Sequence, residues 1–220
     1  MLPDLHAIFL PPFSKNSPVL TIPIPRRAVK QKSSVSPAIH YNRRMSAHEA
    51  SPPTFAIEFR RIDLLTHRLT TSQVLPLTPE EIFPFFEDPG NLFEITPDWL
   101  DFRMAEGIRS AVFEGAEFSY TIKLFGVRIG WRSRIVDYRP PERFVDIQLK
   151  GPYQSWHHLH TFEAVPEGTL MKDEVIYHPP LIALPLHGAI IKKRLENIFS
   201  YRALRVWEWA RGEMKPKQGA

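Results

Sequence analysis

The feature that most constrains this chain is a change of period near Leu100. Beyond it, apolar and polar residues alternate in short segments as far as His178, and one long helical pattern follows. Phe102 and Met104 alternate with Asp101 and Arg103, and Phe118, Tyr120, Ile122 and Leu124 alternate with Ser119, Thr121 and Lys123. Gly126 turns the chain into Ile129, Trp131, Ser133 and Ile135, a segment that ends at Arg139-Pro140-Pro141. Residues 143–149, 155–164 and 169–178 follow, separated by Gly151-Pro152 and by Pro166-Glu167-Gly168. A period of two marks strands with one buried face, and connections this short join antiparallel neighbours. The product is a meander whose apolar face must be covered.

The cover is the C-terminal pattern. Ile191, Leu195, Ile198, Phe199, Val206 and Trp209 recur at helical spacing, and Pro185 and Gly188 set a firm start near Leu186. Lys192, Lys193, Arg194, Arg202 and Arg205 read as the solvated side of this helix. Upstream, residues 55–59 and 67–75 are extended segments. Thr78-Pro79-Glu80-Glu81 carries an N-cap, a first-turn proline and a capping-box glutamate for a short helix holding Ile82, Phe85 and Phe86. Asp88-Pro89-Gly90 ends it, and a second short helix runs from Asn91 toward Trp99. The expected fold class is α+β. A curved antiparallel sheet wraps a long C-terminal helix, and two short helices follow the first strand. Sheets curved over a single helix tend to leave cavities that take small apolar ligands.

Charge and proline sort the chain into parts. The 220 residues carry a net charge of +4, 22 prolines and no cysteine. Residues 1–53 hold seven Lys or Arg, two acids and nine of the prolines; the remainder is close to neutral. Residues 1–54 are therefore expected to be a disordered basic segment, 55–212 the domain, and 213–220 a disordered tail. The N-terminal segment reads as an organelle transit peptide, a basic arm, an inert tail, or an overlong start with the true beginning near Met45. A cytoplasmic protein is expected, or an organellar one if the segment is a transit peptide. The missing cysteines exclude disulfide scaffolds, thiol nucleophiles and cysteine-held zinc or iron–sulfur sites. No apolar run is long enough for a membrane helix, so no stable membrane insertion is expected. The near-neutral domain argues against nucleic acid as a partner.

Several segments carry a family resemblance. They are Phe144-Val-Asp146-Ile-Gln148, Gly151-Pro152-Tyr153, Trp156-His-His158-Leu-His160-Thr-Phe162 and Asp173-Glu-Val175-Ile-Tyr177, with Pro79-Glu80-Glu81-Ile82-Phe83 and Trp99-Leu100 upstream. Across residues 67–210 the chain resembles the SRPBCC superfamily, also called START-like or helix-grip. It is most similar to bacterial and plastid members described as cyclase/dehydrase-like or cell-division-inhibitor-like. The resemblance implies a helix-grip fold. It implies no fixed catalytic set, because this scaffold hosts lipid carriers, hormone receptors, polyketide cyclases and hydrolases.

Strand parity selects the candidate site. Trp156, His158, His160 and Phe162 share one face, and the two large aromatics mark it as the inner one. Met171, Asp173, Val175 and Tyr177 share the inner face of the next strand, and Phe144, Asp146 and Gln148 share a face of the preceding one. A turn at Pro166-Glu167 sets His160 opposite Asp173 and Trp156 opposite Tyr177. Asp146, Gln148, His158, His160 and Asp173 then approach one region of the interior. A histidine–carboxylate pair there can act as general acid or base, giving His158, His160 and Asp173 as catalytic candidates, with Tyr120, Tyr153 or Tyr177 as hydroxyl donors. The same polar side chains can simply satisfy one another and anchor the sheet. His158 and His160, two apart on a strand, can also chelate zinc with Asp173 or Asp146. Nothing else in the chain favours metal, and neither metal nor cofactor is expected.

The expected function is binding of a hydrophobic or amphipathic small molecule (a lipid, polyketide or isoprenoid-like compound) between sheet and helix. Phe118, Tyr120, Trp131, Phe144, Trp156, Phe162 and Tyr177 would supply apolar walls, and Asp146, Gln148, His158, His160 and Asp173 polar contacts. A cyclase or dehydratase using a His–Asp pair is the alternative. A protein-interaction module built on Trp207, Trp209 and the basic helix face is the third reading. Oligomeric state is left open.

Overall fold

The computed structural model describes residues 20–21, 54–105 and 111–217. Among these described residues, nine strands form one antiparallel sheet: β1 (Leu20–Thr21), β2 (Phe55–Arg61), β3 (His67–Leu75), β4 (Arg103–Met104), β5 (Glu117–Leu124), β6 (Val127–Arg139), β7 (Arg143–Lys150), β8 (Ser155–Val165) and β9 (Gly168–His178). Their spatial order is β1-β2-β3-β9-β8-β7-β6-β5-β4. The meander thus runs from β4 to β9, and the hairpin of β2 and β3 docks on its last strand. Of the segment expected to be disordered, Leu20 and Thr21 pair with Ile57 and Ala56. Except for Thr54, the rest of it lies outside the described residues.

Between β3 and β4 come α1 (Pro79–Glu87), α2 (Asn91–Glu94) and a 3₁₀ turn at Asp98–Leu100. The α1 start is the expected one. Pro79 fills the first turn, and the Thr78 backbone N–H donates to Glu81 Oε2 at 2.9 Å. Ile82, Phe83 and Phe85 then bury against the sheet end.

The β8–β9 register is the one parity anticipates: Trp156 faces Tyr177 and His160 faces Asp173. Along β9, buried and partly buried residues alternate without a break. Gly168 opens β9 at φ +131°, where a Cβ would stand 2.1 Å from the Leu75 carbonyl oxygen. Only glycine fits that turn against β3.

α3 (Lys192–Ala210) lies on the concave face and buries Leu195, Phe199, Ala203 and Val206. Each such side chain contributes roughly 1.5–3 kcal/mol of burial, alanine less. The regular helix begins at Lys192, later than the expected Leu186. Residues Leu181–Leu186 form a 3₁₀ stretch and His187–Ile191 a wider π turn, because Pro185 has no N–H to donate and its ring crowds the preceding turn of an α-helix. Two arginines leave the wet side assigned to them. Arg202 sits on the buried stripe, three residues after Phe199 and four before Val206. Arg205 is 11% exposed and ties α3 to α2, with contacts of 3.3 Å to Glu94 and 2.7 Å to Glu208. Trp209 packs on Phe85 at 4.4 Å, and Trp207 lies half-buried beside the same cluster. The stretch expected as a free tail folds back as far as Lys217, whose Nζ lies 2.9 Å from Asp98 and also reaches the Thr96 carbonyl. No helix among the described residues is long and apolar enough to cross a membrane.

A histidine stack joins the sheet to the start of the helix. His67 on β3 and His187 in the π turn stack at 3.6 Å, and His187 Nε2 meets the Tyr177 hydroxyl at 2.8 Å. Burial, His67 and Lys192 together push His187 down to about 4. His67 is lowered by burial and by Arg61 and His178, and partly restored by Asp63.

Two predictions follow from these joints. Gly168→Ala should cost roughly 2–4 kcal/mol in urea unfolding, and a loss under about 0.5 kcal/mol would show that β9 can shift away from Leu75. For His187 the unfolded chain takes up the proton first, so its contribution to stability is complete above pH 6.5 and declines as pH falls toward 4. His187→Phe should therefore flatten the loss of urea midpoint between pH 7 and pH 5. An unchanged slope would remove His187 as the cause.

Candidate functional site

Between α3 and the sheet lies a cavity of about 200 Å³. Phe118, Tyr120, Trp131, Phe144 and Trp156 line it from the strands, Phe85, Phe86 and Leu92 from α1 and α2, and Leu195, Phe199 and Ala203 from α3. Asp146, His158, His160 and Asp173 form a polar part of the wall, joined by Thr71, Gln73, Ser133 and Arg202.

Nine of the twelve sequence-selected residues therefore meet the cavity, and three do not. Gln148 turns aside: its Nε2 donates to the Tyr153 carbonyl at 2.7 Å and its Oε1 accepts from Tyr153 N–H at 3.3 Å, so it staples the β7–β8 turn. Phe162 is buried beyond the cavity against Phe83, Phe86 and Phe144. Tyr177 is fully buried and spends its hydroxyl on His187. In all three, parity gave the correct face but not the position along the strand.

The polar wall is built by strand register. Asp146 on β7 faces His158 on β8, and His160 faces Asp173 on β9, which in turn faces Thr71 on β3. Each imidazole lies between the two carboxylates. His158 Nε2 stands 3.3 Å from Asp173 Oδ1 and its Nδ1 3.4 Å from Asp146 Oδ2. His160 Nε2 is 3.2 Å from Asp146 Oδ2. Its Nδ1 is 2.9 Å from Asp173 Oδ1 but out of line for a hydrogen bond. Thr71 Oγ1 donates to Asp173 Oδ2 at 2.8 Å. Phe144 stacks on His160 at 4.1 Å from one side and His158 lies at 3.8 Å on the other, which fixes the ring plane.

These contacts set the charges. Burial works against ionisation of Asp173, but the His158 hydrogen bond and the close approach of His160 outweigh it and hold the carboxyl well below the usual range. Asp146 behaves alike, with the His160 hydrogen bond, the imidazole charges and Arg202 overcoming burial. Burial, with His160 beside it, lowers His158 and keeps it neutral. For His160, burial opposes the proton but the two carboxylates outweigh it, and its value is raised. Burial pushes the Tyr120 and Tyr153 hydroxyls up, so both remain proton donors. The arrangement can hold a proton between carboxylates and imidazoles, donate hydrogen bonds to a bound oxygen, or offer two imidazoles and a carboxylate to a metal ion.

Thr71 and Gln73 were not singled out from the sequence, and Arg202 was assigned to the solvated side of the helix. For Thr71 and Gln73 the signal was parity with Leu69 and Leu75. For Arg202 it was helical spacing from Phe199 and Val206, masked by the expectation that arginine faces water.

Neither a family model nor a curated protein matches the chain. Solved structures do. A crystal structure from Chromobacterium violaceum superposes with a TM-score of 0.52 at 15% identity, covering 68% of this chain and 98% of the other. One from Mycobacterium smegmatis gives 0.51 at 14%, covering 73% and 99%. A solution structure from Arthrobacter aurescens gives 0.51 at 9%, covering 71% and 91%. The likeness is one of fold: a curved antiparallel sheet gripping a long C-terminal helix, the helix-grip arrangement.

Asp173 holds the wall together, so Asp173→Ala should destabilise by about 3 kcal/mol, through loss of the Thr71 and His158 hydrogen bonds and of a counter-charge to His160. Chemical denaturation at pH 7 measures this, and a cost under about 1 kcal/mol would make the network a passenger on the sheet.

Proposed function

We propose that the cavity binds a hydrophobic or amphipathic small molecule, and that the chain is an SRPBCC-type binding protein akin to the cyclase/dehydrase-like members. The observation that carries this reading is the cavity itself, about 200 Å³ and apolar on most sides. An apolar cavity of roughly 150 Å³ already takes up benzene, so a ring system or a chain segment fits here. Unpartnered polar atoms in the wall favour an amphipathic guest over a pure hydrocarbon. Gln73 Oε1, Trp131 Nε1 and Arg202 Nε are buried without a hydrogen-bond partner among the described residues. Such atoms are costly unless something in the cavity meets them.

A second reading rests on the same wall. His160, between Asp146 and Asp173, is placed for proton transfer to a bound carbonyl, which supports cyclase or dehydratase chemistry. A substrate screen comparing the wild type with His160→Ala would reveal it.

Binding is tested with the amphipathic dye 1-anilinonaphthalene-8-sulfonate and by native mass spectrometry of the full chain after lipid extraction. Ala203→Phe projects a ring from α3 into the cavity and should abolish dye and ligand uptake, at a folding cost of about 1–3 kcal/mol. Circular dichroism checks that it folds. Equal uptake by the folded variant would place the binding elsewhere, and no uptake by the wild type would refute the reading.

A further inference from the structure

The polar wall holds a geometry that small-molecule binding does not require. Asp146 Oδ2 lies 3.4 Å from His158 Nδ1 and 3.2 Å from His160 Nε2, and one ligand atom from each of the three residues falls within 4.8 Å of the others. A tetrahedral ion with bonds of about 2.0–2.1 Å to nitrogen and oxygen keeps its ligand atoms about 3.3 Å apart. Both separations, 3.4 and 3.2 Å, match the edge of such a tetrahedron.

The far nitrogen of each ring turns to the other carboxylate. His158 Nε2 is hydrogen-bonded to Asp173 Oδ1 at 3.3 Å, and His160 Nδ1 approaches the same oxygen at 2.9 Å. Asp173 is held in turn by Thr71. The Asp173 hydrogen bond fixes the His158 tautomer with its proton on Nε2 and leaves Nδ1 free, the arrangement found behind metal-bound histidines, while His160 Nε2, hydrogen-bonded to the Asp146 carboxylate, gives up its proton when an ion binds. Phe144, stacked on His160, keeps that ring from turning away.

We propose that Asp146, His158 and His160 form a binding site for one divalent first-row metal ion, zinc(II) above all, with Asp173 as the positioning carboxylate. This departs from the expectation of no metal. The signal was in the sequence as His158-x-His160, but the partner carboxylate was ambiguous. Register resolves it: Asp146 faces the near nitrogens and Asp173 the far ones. The donor set is of the two-histidine, one-carboxylate kind, suited to zinc and iron(II) and poorly suited to magnesium or calcium. Asp146 and Asp173 bring two negative charges into the interior, and a divalent ion neutralises both with the imidazoles uncharged. Arg202, the cation of α3 on the cavity wall, opposes the ion, but it is one charge against two. All three ligands line the cavity, so the remaining coordination positions open toward it.

The test uses the untagged full chain, stripped with chelator and titrated with zinc(II) against a chromophoric competitor. One equivalent should bind, and the melting temperature should rise with zinc. Asp146→Asn and His160→Gln should each weaken binding more than about 100-fold, and Asp173→Asn by about 10–100-fold. Lys193→Ala, on the exposed side of α3, should leave it unchanged. Zinc-edge X-ray absorption of the loaded wild type should count two imidazoles. Fewer than two would overturn the proposal whether or not the variants fold. So would failure to bind at millimolar zinc, or wild-type affinity in folded Asp146→Asn. The dye measurement runs on chelator-treated protein, so failure of the metal site leaves the cavity reading standing.

Discussion

The structure depends on a mismatch of width between its two layers. Seven of the nine strands are seven residues or longer. At about 4.8 Å per strand they would span about 30 Å if laid flat. The helix that covers them is only about 10–12 Å across with its side chains. One helix cannot cover such a face, and an uncovered apolar face is unstable in water. The sheet therefore curls around α3, and α1 and α2 close one end with Ile82, Phe83 and Phe85. What the helix still fails to fill becomes the cavity, bounded by Trp131 and Trp156 on the sheet and by Phe199 and Ala203 on α3.

Much of this was legible because the period-two signal also fixes partners. The tight turn at Pro166-Glu167 leaves little freedom in the β8–β9 register, so His160 opposite Asp173 could be read from sequence and is what the strands adopt. Helix cover was legible from the spacing of Leu195, Phe199 and Val206. The failures have one cause: parity and spacing give a face, not a depth. Tyr177 and Phe162 lie on the inner face but past the ends of the cavity. Gln148 lies where β7 runs out of β8 partners, since that pairing ends at Ile147 with His157. Free of the ladder, its amide closes the following turn instead. Arg202 was misplaced because residue type was allowed to outweigh position.

The polar wall also records the register it depends on. Asp146, the two histidines, Asp173 and Thr71 come from four adjacent strands, β7, β8, β9 and β3. A slip of one residue in any pairing would turn that strand's contribution to the outer face and leave its partners buried and unpaired. Apolar residues would tolerate such an error better, because one buried methyl group resembles another. The network therefore penalises misregistered sheets more steeply than the surrounding core does.

Its charges also bear on what the cavity can hold. Both carboxylates are held ionised, and Asp146 keeps about a fifth of its side chain open toward the cavity. A guest made only of hydrocarbon would cover that face and strip its remaining hydration without offering a hydrogen bond, at a cost of several kcal/mol. A guest with a hydroxyl, or with a carbonyl facing His160 or Arg202, would replace the lost water. The same holds if a metal ion sits on Asp146, because its open positions then need an oxygen or nitrogen donor. With either counter-ion, protonated His160 or bound metal, the wall selects for a molecule whose apolar body carries a polar atom at one end.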